Sequence, residues 1–137
     1  MSTLNDTSKH CGIIPFRRND NGIEILLVTS STRKRWIIPK GHVEPNMNAL
    51  ESARKEAYEE AGVRGRIHTV PFGSYTHETP GGPADVQVFL MEVESELSVW
   101  PEQEERDRAW MSVRDAHDRV LETGLKQLLR ELAEEVE

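Results

Sequence analysis

The sequence predicts an α/β domain in which helices cover both faces of a mixed β-sheet. Three observations carry that expectation. The β-rich runs "CGIIPFR" and "EILLVTSS" flank the turn "NDNG"; apolar residues recur at helical spacing from Met47 to Ala61; and leucines recur at the same spacing near the C-terminus.

In chain order, residues 1–9 are polar and read as a flexible tail, with one domain expected over residues 10–137. The two runs around "NDNG" should form a hairpin, followed by a third short strand at "RWIIP" and a Gly- and Pro-containing loop at "KGHVEPN". A helix then begins near Asn48. Leu50, Ala53, Ala57 and Ala61 supply its apolar face, Asn46 or Asn48 its N-cap, and Gly62 its stop. Beyond it, "RIHTVPFGSYTHE" and "DVQVFLMEVES" read as strands separated by a flexible "TPGGPA", and "RAWMSV" as one more short strand. A short helix is expected at "VRDAHDRVL", and Leu125, Leu128, Leu129, Leu132 and Val136 predict a final amphipathic helix that packs on the sheet.

The 17 basic and 24 acidic residues give a net charge of −7, which argues against nucleic acid polymers and anionic membranes as main partners. A lone cysteine, Cys11, excludes an internal disulfide framework and a Cys cluster for zinc. The first residues lack the apolar run of a secretion signal, and no stretch approaches the roughly 20 apolar residues of a membrane span. These features fit a soluble, cytoplasmic protein.

The stretch "KEAYEEAG" places Glu56, Glu59 and Glu60 at the C-terminal end of the first helix, the end its own dipole makes negative. Glu56 and Glu60 stand four apart on one face, and Glu59 flanks them. Like charges at that spacing repel unless a hard cation sits among the oxygens; Mg²⁺ takes carboxylates and completes its shell with water and substrate phosphates. The same spacing also describes a solvated acidic face. The loop before the helix favours the metal, because it leads to a helix N-terminus suited to an anion.

The stretch from Gly41 to Val63, "GHVEPNMNALESARKEAYEEAGV", resembles the signature of the Nudix hydrolases, with Gly41, Glu56, Ala57, Glu59, Glu60, Gly62 and Val63 in register. The resemblance covers most of the chain from about His10. It implies an α/β/α sandwich and Mg²⁺- or Mn²⁺-dependent hydrolysis of a pyrophosphate linkage. It also implies metal-binding roles for Glu56, Glu59 and Glu60, joined by an acidic residue from "PEQEERDRAW". Glu104 is taken for that place, with Glu102 and Glu105 as alternatives, and Glu59, Glu60 and Glu104 form the catalytic set. Glu59 and Glu104 are the candidates to take the proton of the attacking water.

Two positions depart from the signature: Met47 stands at its first Glu and Lys55 at its Arg. Methionine does not ligate a hard cation, and lysine lacks the two-pronged geometry of arginine, although Lys55 can pair with Glu51 or Glu59. These departures motivate a second reading, a Nudix-fold module that binds nucleotides or polyphosphates with weakened catalysis.

The substrate should be a phosphate-rich small molecule. "PKGHVEP" resembles diadenosine polyphosphate hydrolases and "ERDRAW" the diphosphoinositol polyphosphate branch. Arg33, Arg35 and Lys40, with Gly41 and His42, are the candidate phosphate contacts, and Arg17 and Arg18 could face the same ligand. Tyr75 and His77 alternate along a strand and could line its wall. Trp36, Trp100 and Trp110 read as packing residues. A monomer or homodimer is expected.

Overall fold

The computed structural model describes residues 9–135, so residues 1–8 of the expected tail and Val136 lie outside the described residues. The two apolar runs form β1 (Lys9–Asn19) and β2 (Gly22–Thr29), an antiparallel hairpin in which Phe16 faces Ile25 and Asn19 faces Gly22. Gly22 closes the turn at φ 120°, a value that residues with a Cβ rarely adopt. β3 (Trp36–Ile37) pairs with the end of β2.

Three elements differ from the sequence expectation. Lys40–His42, expected as loop, is β4, which pairs with β1 through Gly12 and Lys40. Nothing local marks it as a strand; its partner lies far back in the chain. The run "RIHTVPFGSYTHE" divides into β5 (Val63–Ile67) and β6 (Gly73–Thr79). Both pair with β7 (Gly82–Glu96), whose 15 residues are long enough to hold β6 along one half and β5 along the other. "TPGGPA", expected as a flexible separator, contains a tight hairpin in which Thr79 faces Gly82.

β1 and β7 run parallel, the other pairs run antiparallel, and β8 (Arg108–Ser112) adds to β2 to complete an eight-stranded mixed sheet. Helix α1 (Ala49–Glu56), continued by a π-helical turn (Ala57–Ala61), covers one face. Its Ala53, Ala57 and Ala61 are small enough to lie close against Cys11, Ile13, Leu26, Val28, Phe89 and Met91. Helices α2 (Val113–Arg119) and α3 (Thr123–Glu135) cover the other face, where Leu125, Leu128, Leu129 and Leu132 meet Ile14, Phe16, Ile25, Leu27, Val88 and Leu90. Alternate residues of each central strand therefore feed opposite cores, and the expected α/β/α sandwich is what the chain forms. Leu129 is fully buried, so Leu129→Ala should cost roughly 2–5 kcal/mol in a denaturant unfolding experiment.

Candidate active site

Asn48 starts α1 with a capping box: its side chain accepts from the Glu51 amide at 2.8 Å, and Glu51 accepts from the Asn48 amide at 3.0 Å. At the other end the chain widens into the π-helical turn, which Gly62 stops in the left-handed conformation at φ 67°. π-turns inside helices recur at functional sites. This one buries Glu60 at 6% exposure and sets its carboxyl within hydrogen-bonding reach of Glu56. Gly41 of β4 completes the arrangement, because a Cβ there would collide with the Glu56 carboxylate.

The electrostatics record this crowding. Burial pushes the Glu60 carboxyl up to about 8, against the pull of the Arg106 guanidinium and with help from the Glu56 charge. Burial likewise raises Glu56, and the nearby charge of Glu59 adds to the rise. Two acids held together at this cost form a hard oxygen donor set that a divalent cation would relieve.

Among the described residues no group of three or more His, Cys, Asp or Glu side chains converges as an all-protein metal cage. A pair of carboxylates still fits Mg²⁺, which commonly uses one or two of them and fills its shell from water and substrate phosphate. Glu56 and Glu60 are the pair that could hold one. Glu59 is turned toward Lys55, whose amine lies 2.9 Å from it and 3.1 Å from Glu44. Of the two helical pairings open to Lys55, Glu59 is used, while Glu51 serves the cap. Glu44 is itself fixed by its amide on the Ser52 hydroxyl at 2.9 Å. With methionine at 47, Glu44 is the loop carboxylate that steadies Lys55.

The acidic loop is drawn over this pair by Arg106, which the sequence reading did not single out. Its guanidinium donates to Glu102 at 2.7 Å, to the Thr29 carbonyl at 3.0 Å and to Glu60 at 3.4 Å. Glu102 therefore joins the network directly. Glu104 sits exposed on the same turn, its carbonyl accepting from Arg33 at 2.7 Å, and Glu105 is exposed beside it. Trp100 donates its indole N–H to the Glu60 carbonyl at 3.1 Å and stacks under Arg108 at 3.8 Å, which seals the end of the π-helical turn.

The basic candidates separate into groups. Arg17 and Arg18 sit at the far end of β1 in pairs with Glu24 and Glu92. Arg33 pins the acidic loop through Asp107 and the Glu104 carbonyl, and His42 is exposed with its ring against His10. Arg35 and Lys40 come together. The Lys40 amide reaches Glu60 at 3.3 Å, while its amine lies 3.2 Å from His77 Nε2; His77 Nδ1 lies 3.3 Å from Glu122, which also holds Arg35 at 3.4 Å. Burial lowers both Lys40 and His77. Tyr75 lines an open cavity of about 650 Å³ with Arg35 and Glu122, and among the described residues its buried hydroxyl has no partner. Arg106 and Glu122 carry no local sequence signal, since they meet Glu60 and His77 across 46 and 45 positions.

A family model described as NUDIX domain matches residues 8–132. Nudix hydrolase 13, mitochondrial, of Arabidopsis thaliana is 33% identical over 85% of this chain and 64% of its own length. The chain thus spans just under two thirds of that plant relative. The asymmetrical bis(5'-nucleosyl)-tetraphosphatase of Mus musculus is 32% identical over 88% of this chain and 90% of its own. Among solved structures, a binary complex of a C. elegans Ap4A hydrolase superposes with a TM-score of 0.79 at 26% identity, covering 91% of this chain and 94% of that one.

Proposed function

From the premise that this chain belongs to the Nudix family, we propose that it is a divalent-metal-dependent pyrophosphohydrolase acting on a dinucleoside polyphosphate such as diadenosine tetraphosphate. One observation carries the reading: the crowded Glu56 and Glu60 carboxyls adjoin Lys40, whose amide donates to Glu60 at 3.3 Å and whose amine connects through His77 and Glu122 to Arg35, so sites for a cation and for a phosphate chain are contiguous.

In the proposed mechanism Glu56 and Glu60 would hold a divalent cation. The cation would supply neutralisation of charge on the pyrophosphate oxygens and a more acidic water. Lys40 and Arg35 take the phosphates on the side away from α1 through charge-assisted hydrogen bonds. Lys55 occupies Glu59, so we assign proton uptake from the attacking water to Glu104, the exposed carboxylate on the turn that Arg106 anchors. The water adds to one phosphorus as one P–O–P bond breaks, and the two phosphate products share its protons.

Product analysis with Mg²⁺ or Mn²⁺ tests the proposal on diadenosine tetraphosphate, a diphosphoinositol polyphosphate, a nucleotide sugar and a nucleoside triphosphate. Release of AMP and ATP from the first, with Glu104→Gln slower by about 10²–10⁴-fold and Glu59→Gln affected less, is the expected result. Turnover confined to another class would replace the substrate. Nucleotide binding without any turnover would favour a binding module.

A further inference from the structure

Glu122 stands where a phosphate-binding site has least use for a carboxylate. It lies in the link between α2 and α3, its side chain 11% exposed, against Arg35, one of the cations that face the proposed phosphate path, and against the His77 ring that meets the other, Lys40. Its negative charge opposes any anion brought to Arg35 and Lys40. On Coulomb's law alone, its removal should tighten phosphate binding.

The hydrogen bonds give it a different use. An ammonium has donors and no acceptor, so His77 Nε2 accepts from Lys40 across 3.2 Å and the ring proton resides on Nδ1. That Nδ1–H then donates to Glu122 across 3.3 Å. The same carboxylate oxygen lies 3.4 Å from an Arg35 nitrogen. Lysine and arginine side chains lose much rotamer freedom when a ligand immobilises them. Cations already fixed in place forgo that loss at binding.

We propose that Glu122 is a positioning residue that presets both phosphate-binding cations, Arg35 directly and Lys40 through His77, so that a polyphosphate chain meets them in fixed geometry. The inference rests on the proposed reading of the site as one for a pyrophosphate substrate. Positioning and bare charge predict opposite signs for the loss of Glu122. Nothing in the local sequence around it announces the role.

The test combines steady-state kinetics on diadenosine tetraphosphate with calorimetric binding of inorganic tripolyphosphate to the metal-free protein. Glu122→Ala should raise KM and weaken tripolyphosphate binding by about tenfold or more, with kcat within about threefold, because the cations act on bound substrate and transition state alike. Glu122→Gln, which keeps an acceptor for His77, should stay within about threefold of wild type. His77→Ala should repeat the KM rise in part, and it serves in place of Glu122→Ala should that variant not fold. In the Arg35→Ala/Lys40→Ala background the loss of Glu122 should add less than about twofold, since residues acting as one unit are not additive. A folded Glu122→Ala protein with unchanged or tighter tripolyphosphate binding overturns the proposal. So does an undiminished effect in the double-variant background. If wild type cleaves no pyrophosphate yet binds tripolyphosphate in a Glu122-dependent way, the catalytic reading falls and the positioning role stands.

Discussion

Glu60→Gln is expected to lower turnover by about 10³-fold, the loss of a few kcal/mol of metal-derived stabilisation, while the metal-free protein becomes harder to unfold at pH 8. The two changes have one cause. Glu60 is buried against Glu56, and its folded-state pKa of about 8 stands far above the ordinary carboxylate value of 4.5. A carboxyl raised in this way favours the fold when protonated: its contribution is present below about pH 4.5 and is lost as pH rises through about 8. Glutamine is neutral at every pH and still accepts from Arg106 or the Lys40 amide. The variant should therefore show a fall in stability between pH 5 and 8 that is flatter by a few kcal/mol when followed by thermal unfolding in chelator.

Magnesium should reverse the ranking. A cation that binds only the folded state stabilises wild type as RT ln(1 + [L]/Kd), and it should do little for Glu60→Gln. If the variant retained full turnover, or if Mg²⁺ stabilised both proteins equally, Glu60 would not be part of the metal site.

Gly41→Ala should cost about 10²-fold in activity and almost nothing in stability. The added methyl would overlap the Glu56 carboxylate, the far end of a flexible side chain that can swing away at little cost. The backbone of β4 need not move, because the φ of Gly41 is not among the positive values. The melting temperature should stay within about 2 °C of wild type, whereas the Mg²⁺ concentration needed for half-maximal activity should rise. A variant that loses several degrees, or one that keeps its activity, would mean that the close approach of Gly41 and Glu56 is incidental.

The apolar runs of β1 and β2 were legible as strands, and because the period of a strand is fixed by its geometry their successive side chains enter opposite cores. The same holds for α1 and α3, whose apolar stripes in the sequence are the faces that pack. Lys40–His42 read as loop because a three-residue strand is made by its partner, and that partner is some 30 positions away. The π-helical turn was equally hidden, since its residues have ordinary helical preferences.

Within the site, the spacing of Glu56, Glu59 and Glu60 was legible, because a helix converts spacing into adjacency. What each carboxylate does was not. Glu59 is drawn to Lys55 and Glu60 to Arg106, and only the second pairing depends on a distant segment. Arg33 and Arg35, both candidate phosphate contacts, stand two apart in one basic run, yet Arg33 turns to the acidic loop while Arg35 joins Glu122. By itself the sequence determined the fold class, the helix that carries the acids and the family. Only the tertiary structure decided which charges share a desolvated space, because burial and long-range pairing depend on neighbours that chain order does not bring together.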